Sequence, residues 1–299
     1  MDSPLLDPTL PCELERRIFE LSALSRPTTI PNLMLVARRV KIWVEPLLYH
    51  GILLSDTVTA VQGFPKFDLD IVLRAIDEKP PEFLKYAVKH LLLDFNQEYY
   101  PLQRTALYFD TILKACTGIT SLVAWTGVND NLSTLASLDS LRRLTIDIPG
   151  VFGPDPQNCF AHSLFRHITH LEIGDFLPSE FTGIALIPHL THFAFNAVGR
   201  CDVLRPAFHS CARLTCIVFL CAVVVVETKI FMNFVQPLLE DERFVMIISH
   251  RDFWAGRYRT ACAGNDHWTL ADAFLAARRA GKVDRDHFII SHEDESWFE

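Results

Sequence analysis

The sequence predicts an α/β chain: a helical N-terminal segment, then a strand–helix unit repeated into an irregular solenoid, then a C-terminal helical cap. Three observations carry this expectation. Leu14, Ile18 and Leu21 recur at helical spacing close to the start. From about residue 83 a short phrase, apolar-x-x-apolar-x-apolar, returns along the chain. Near the end, "HWTLADAFLAARRAG" places Leu270, Phe274 and Leu275 on one helical side and closes on Gly281.

The N-terminal helix begins at Pro11, a residue tolerated there because its missing N–H would have no partner. Glu13 and Glu15 lie at the positive end of the helix dipole. Arg26-Pro27 ends the run, since a residue before proline avoids the α region. "PNLMLVARRVKIWVEPLLY" opens a second helical pattern, and Pro46 is expected to kink or restart it.

The repeated phrase reads "VKHLLL", "ITSLVA", "LRRLTI", "ITHLEI", "LTHFAF" and "LTCIVF", at intervals of 22 to 31 residues. "FVMIISH" supplies one more strand. A short strand and a return helix at this period are the signature of leucine-rich repeats. One unit cannot bury its own apolar face, so units must stack. Leu144, Leu171, Phe193 and Ile217 should then occupy equivalent buried positions. The expected organisation is 8–55 as a helical docking module, 83–250 as a degenerate leucine-rich-repeat domain, and 251–299 as a C-terminal cap and tail.

Composition narrows the function classes. The chain has 299 residues, 49% hydrophobic and 21% charged, which suits a folded protein. Its formal charge of −8 argues against a grip on phosphate backbones. Eight cysteines without a CxxC pair read as reduced thiols in a cytoplasmic or nuclear setting. Residues 1–11 lack the pattern of a signal peptide. The greasiest stretch, "CIVFLCAVVVV", is short of the roughly 20 residues that span a bilayer. No membrane segment and no nucleic-acid partner are expected.

The segment from Leu10 to about Ile52 resembles an F-box, the helical module that docks substrate receptors onto the Skp adaptor of cullin–RING ubiquitin ligases. The resemblance rests on Leu10, Pro11, Glu13, Leu14, Ile18 and Phe19 in the first helix. Leu33, Leu35, Val36, Arg38, Arg39 and Trp43 follow the second-helix pattern, while Ala37 and a long "SRPTTIP" loop depart from it. F-box first and leucine-rich repeats after is a known receptor arrangement. Phrases such as "ELERRIFELSAL" and "WTLADAF" also resemble F-box-like receptor families of mushroom-forming fungi. The resemblance implies an adaptor-binding set of Leu10, Pro11, Leu14, Ile18, Leu33, Val36 and Trp43. It implies a non-enzymatic substrate receptor whose partners are the Skp adaptor, the cullin–RING ligase and an unknown protein substrate. The alternative is a leucine-rich-repeat interaction scaffold with no link to ubiquitin.

Catalytic motifs are missing from the sequence: it has no GxSxG, P-loop, GxGxxG or HExxH. "HRD" at 250–252 lacks the asparagine and glycine-rich loop of a kinase. "HITH" and "HLTH" should bring His170 and His192 side by side on neighbouring strands, about 5 Å apart. A metal would need further ligands, with Glu172 the obvious one, and duplicated repeat decoration is the plainer reading. No metal and no cofactor are expected. The residues flanking the inward pair on each strand should line a concave recognition surface. That set is Trp125, Arg143, Thr145, Asp147, His170, Glu172, His192 and Asn196, with Trp254 and Trp268 as the alternative ground.

Overall fold

The computed structural model describes residues 10–55, 61, 63–94, 102–124, 129–153, 159–174, 182–196, 201–222, 235–249, 258, 262 and 266–291. Three helices come first: α1 (Cys12–Ser25), α2 (Ile30–Leu33) and α3 (Arg38–Leu48). Pro11 stands just ahead of α1, its carbonyl accepting from the N–H groups of Leu14 and Glu15. The second helical pattern is divided: Ala37 is extended (φ −161°, ψ 155°) and caps α3. Pro46 does not end α3, which runs on through it to Leu48, although its ring removes the N–H that would reach the Ile42 carbonyl. Ala23, Ile30, Val40 and Val44 close a small core of their own. A bidentate ion pair from Arg39 to Glu15, at 2.8 and 3.0 Å, ties α3 to α1.

Among the described residues nine parallel strands follow, paired in chain order from first to last. They are β1 (Gly51–Ser55), β2 (His90–Asp94), β3 (Ser121–Ala124), β4 (Arg143–Ile146), β5 (His170–Ile173), β6 (His192–Phe195), β7 (Cys216–Ala222), β8 (Phe244–Ser249) and β9 (Ile289–Ser291). Between them lie α4 (Leu69–Glu78), α5 (Pro81–Ala87), α6 (Leu102–Ala115), α7 (Leu132–Ala136), α8 (Ile148–Phe152), α9 (Cys201–His209) and α10 (His267–Arg279), with short 3₁₀ turns in several repeats. All seven expected strands are present. The sheet extends past the anticipated 83–250, with β1 directly after α3 and β9 beyond α10.

Sequential parallel pairing through short strands and return turns is a leucine-rich-repeat-like solenoid. Its register aligns Ile52, Leu91, Leu122, Leu144, Leu171, Phe193, Ile217 and Phe244 in one ladder. Leu54, Leu93, Ala124, Ile146, Ile173, Phe195, Phe219 and Met246 form a second ladder two residues on. Both face the helices and turns, and every member is buried. Each such Leu, Ile or Phe contributes about 1.5 to 3 kcal/mol by leaving water.

The opposite face of the sheet departs from the expected open surface. Parallel sheets are normally covered on both sides, and here the chain's own C-terminal segment does the covering. Tyr258 and Cys262 pack with Leu53, Leu92 and Val123 over β1–β3. The Tyr258 hydroxyl donates to the Gly51 carbonyl at 2.7 Å. Gly51 has no room for a side chain there, since a Cβ would collide with Cys262 Sγ. Farther along, Trp268, Ala271, Phe274 and Leu275 of α10 bury Val218, Leu220, Val245 and Ile247. The described residues of the segment expected as an end cap therefore lie across the face of the stack, and among them β9 continues its end. Among the described residues no helix is long and apolar enough to cross a membrane.

Candidate functional site

Two regions hold the residues singled out from the sequence. The first is the outer side of α1. Ala23 turns inward to the small core, while Leu14, Ile18, Leu21 and Leu24 of α1, and Leu10 just ahead of it, are each 45 to 54% exposed. Within α1, steps of four and three from Leu14 to Ile18 to Leu21 keep these three side chains in one stripe. Leu35, Val36 and Ile42 add exposed apolar surface in the same module, Leu35 at 84%. Of the anticipated adaptor set, Leu10, Pro11, Leu14, Ile18 and Val36 are exposed, whereas Leu33 and Trp43 are half-buried against the small core. Leu33 and Trp43 thus shape the module from behind. Leu21, Leu24, Leu35 and Ile42 are the surface residues that the motif left out of the set.

The second region is the polar middle of the sheet's covered face. Arg143, Thr145, His170, Glu172 and His192 do stand together there, on β4, β5 and β6. Arg143 pairs with Asp266, the N-cap of α10, whose carboxylate also accepts from the Thr269 N–H and hydroxyl at 3.0 Å. Thr145 donates to Glu172 at 3.2 Å, and Glu172 is fully buried, with His267 Nε2 3.6 Å away. The rings of His170 and His192 stack at 4.0 Å between centroids, 9° from parallel. Trp268 meets both of them edge-on. Burial, then the neighbouring His192 and Arg143, pushes His170 down to about 3, so its imidazole is neutral. His192 Nε2 lies 3.0 Å from Asp272 Oδ1, and this hydrogen bond holds the Asp272 carboxyl below the usual range against partial burial.

These contacts correct the expected recognition surface. Thr145, Glu172 and His192 are buried, and half-buried Arg143 and His170 are engaged by α10 and its cap. Asp147 acts locally as the N-cap of α8, where it accepts from the Gly150 N–H at 3.0 Å. Asn196 follows β6, half-buried, with its side-chain oxygen lacking a hydrogen-bond partner among the described residues. Trp125 and Trp254 lie outside the described residues, and Trp268 is buried on the sheet side of α10. The sequence reading missed Cys216, Asp266 and Asp272. Cys216 is the pairing partner of His192, a position that the repeat phrase itself marks. Cys12, Cys116, Cys159, Cys211, Cys216, Cys221 and Cys262 are free thiols.

No protein-family model matches the chain, and no curated protein matches it.

Proposed function

We propose that the chain is a non-enzymatic substrate receptor whose N-terminal helices dock on the Skp adaptor of a cullin–RING ubiquitin ligase. The observation that carries this reading is the exposed apolar stripe Leu14, Ile18 and Leu21 on α1, with Leu10 just ahead of it, joined by exposed Leu35 and Val36. An apolar side this long gains nothing in water, and exposed patches of this kind mark interaction surfaces. Helix-on-helix docking takes its anchors from such i, i+4 positions. The small core behind the stripe and the Arg39–Glu15 pair hold the helices in a fixed arrangement, which reduces the ordering cost of binding. The leucine-rich-repeat-like sheet is then the body that carries cargo. Cargo capture on the covered sheet face requires α10 to move. Co-purification of the full chain with the adaptor tests the reading. The complex is expected with the intact chain and lost on deleting residues 1–48, which spares β1. A chain that is folded and fails to retain the adaptor refutes it.

A further inference from the structure

β6 and β7 pair with His192 opposite Cys216, so both side chains leave the sheet on the same face, one strand apart. α10 crosses above them and brings Asp272 into the same space. An imidazole nitrogen, the Cys216 sulfur and an Asp272 carboxylate oxygen all lie within 4.8 Å of one another. We propose that His192, Cys216 and Asp272 form a three-ligand site for a zinc-class divalent cation, which fastens the C-terminal helix to the sheet.

The donor set fits that ion. One nitrogen, one sulfur and one oxygen suit a borderline-soft cation better than calcium or magnesium, which take oxygen shells. A thiolate and a carboxylate together supply two negative charges against the two positive charges of the ion. Tetrahedral zinc, with bonds of about 2.0 to 2.3 Å, needs donors roughly 3.5 Å apart, so the group has only about an ångström to close.

The support behind the histidine is also in place. Thr191 Oγ1 lies 2.7 Å from His192 Nδ1 and 3.1 Å from the Thr169 carbonyl. Without the ion, Nε2–H donates to Asp272; with the Thr191 hydroxyl donating to that carbonyl, its oxygen is placed to accept the proton at Nδ1 in the tautomer whose Nε2 binds a metal. This is the arrangement that orients metal-binding imidazoles. Loading therefore exchanges the Nε2–H···Asp272 hydrogen bond for bonds from both groups to the ion, the imidazole proton moving to Nδ1.

Cys216 is fully buried, and burial pushes its thiol well above the ordinary range. Loading the site therefore replaces the S–H bond with a sulfur–metal bond and releases the proton to solvent, with no electron transferred. The Asp272 side chain is 56% exposed, so it gives the ion an entrance and leaves a fourth position for water. Arg279 lies near enough to favour the anionic form of both Cys216 and Asp272.

The test uses the full chain, stripped with a chelator and titrated with cobalt(II) alone. One equivalent should bind with a thiolate-to-cobalt charge-transfer band, and zinc should abolish the band by displacement. Cys216→Ser should lose the band and Asp272→Asn should bind cobalt more weakly. Thr191→Val should weaken binding by about 10- to 100-fold. If Cys216→Ser does not fold, Asp272→Asn decides, because its side chain is half in solvent. No thiolate band in the folded wild type overturns the site. So does a band of equal intensity in folded Cys216→Ser, or an unchanged affinity in Asp272→Asn.

Discussion

Arg143 and Asp266, 123 positions apart, form an ion pair that joins the middle of the sheet to the N-cap of the C-terminal helix. Asp266 is buried, and it caps α10 as well as binding Arg143. One carboxylate thus fixes both the start of the helix and its position on the sheet.

Removing the arginine leaves that carboxylate buried beside fewer partners. Arg143→Met should cost about 1 to 3 kcal/mol, the penalty for an unsatisfied buried polar group. Asp266→Ala also removes the cap, worth about 1 kcal/mol more. Urea denaturation measures both, and hydrogen exchange over 267–279 should rise in each variant.

The two ladders on the core side set the scale for packing. Leu171→Ala should destabilise by about 2 to 5 kcal/mol, because the vacated volume is enclosed by neighbouring rungs. Leu35→Ser, at the most exposed apolar position, should change stability by less than about 0.5 kcal/mol. The same denaturation measurement compares them, and similar costs would contradict the burial pattern.

These ladders were the most legible part of the molecule. The phrase "ITHLEI" fixes which side chains turn inward, and the His170–His192 stack follows from its second copy, "LTHFAF". The missing part was the cover on the other face. β7 reads "CIVFLCA", apolar at successive positions, and such a strand is buried on both sides. Leu53, Leu92, Val123, Val245 and Ile247 repeat that signal on other strands. β9 and Asp272 stayed hidden because three residues make no period and a single acidic residue on a helix marks no partner. The N-terminal helices were legible in outline. The break at Ala37 was not, because an alanine there has no local reason to be extended.

Acid should weaken the fold through His90. Burial, then His50 and Arg143, holds His90 down to about 4, and burial, then Lys89, lowers His50, whose ring centroid is 5.1 Å from that of His90. Both are neutral in the folded chain and protonate near 6.5 when unfolded. The unfolded state therefore binds more protons as pH falls, so stability drops from about pH 6.5 toward pH 4. His90→Gln should flatten the slope of denaturation midpoint against pH in that window. An unchanged slope contradicts a buried neutral His90.

The exposed stripe on α1 is the point on which the functional account turns. Calorimetric titration of the purified Skp adaptor into wild type and into Leu14→Asp plus Ile18→Asp measures it directly. Both substitutions sit at half-exposed positions away from the repeat core, so the variant should keep the far-ultraviolet spectrum of the wild type. Saturable binding by the wild type and none by the variant is the predicted result. Binding of equal affinity in a folded variant would contradict the docking role of this face.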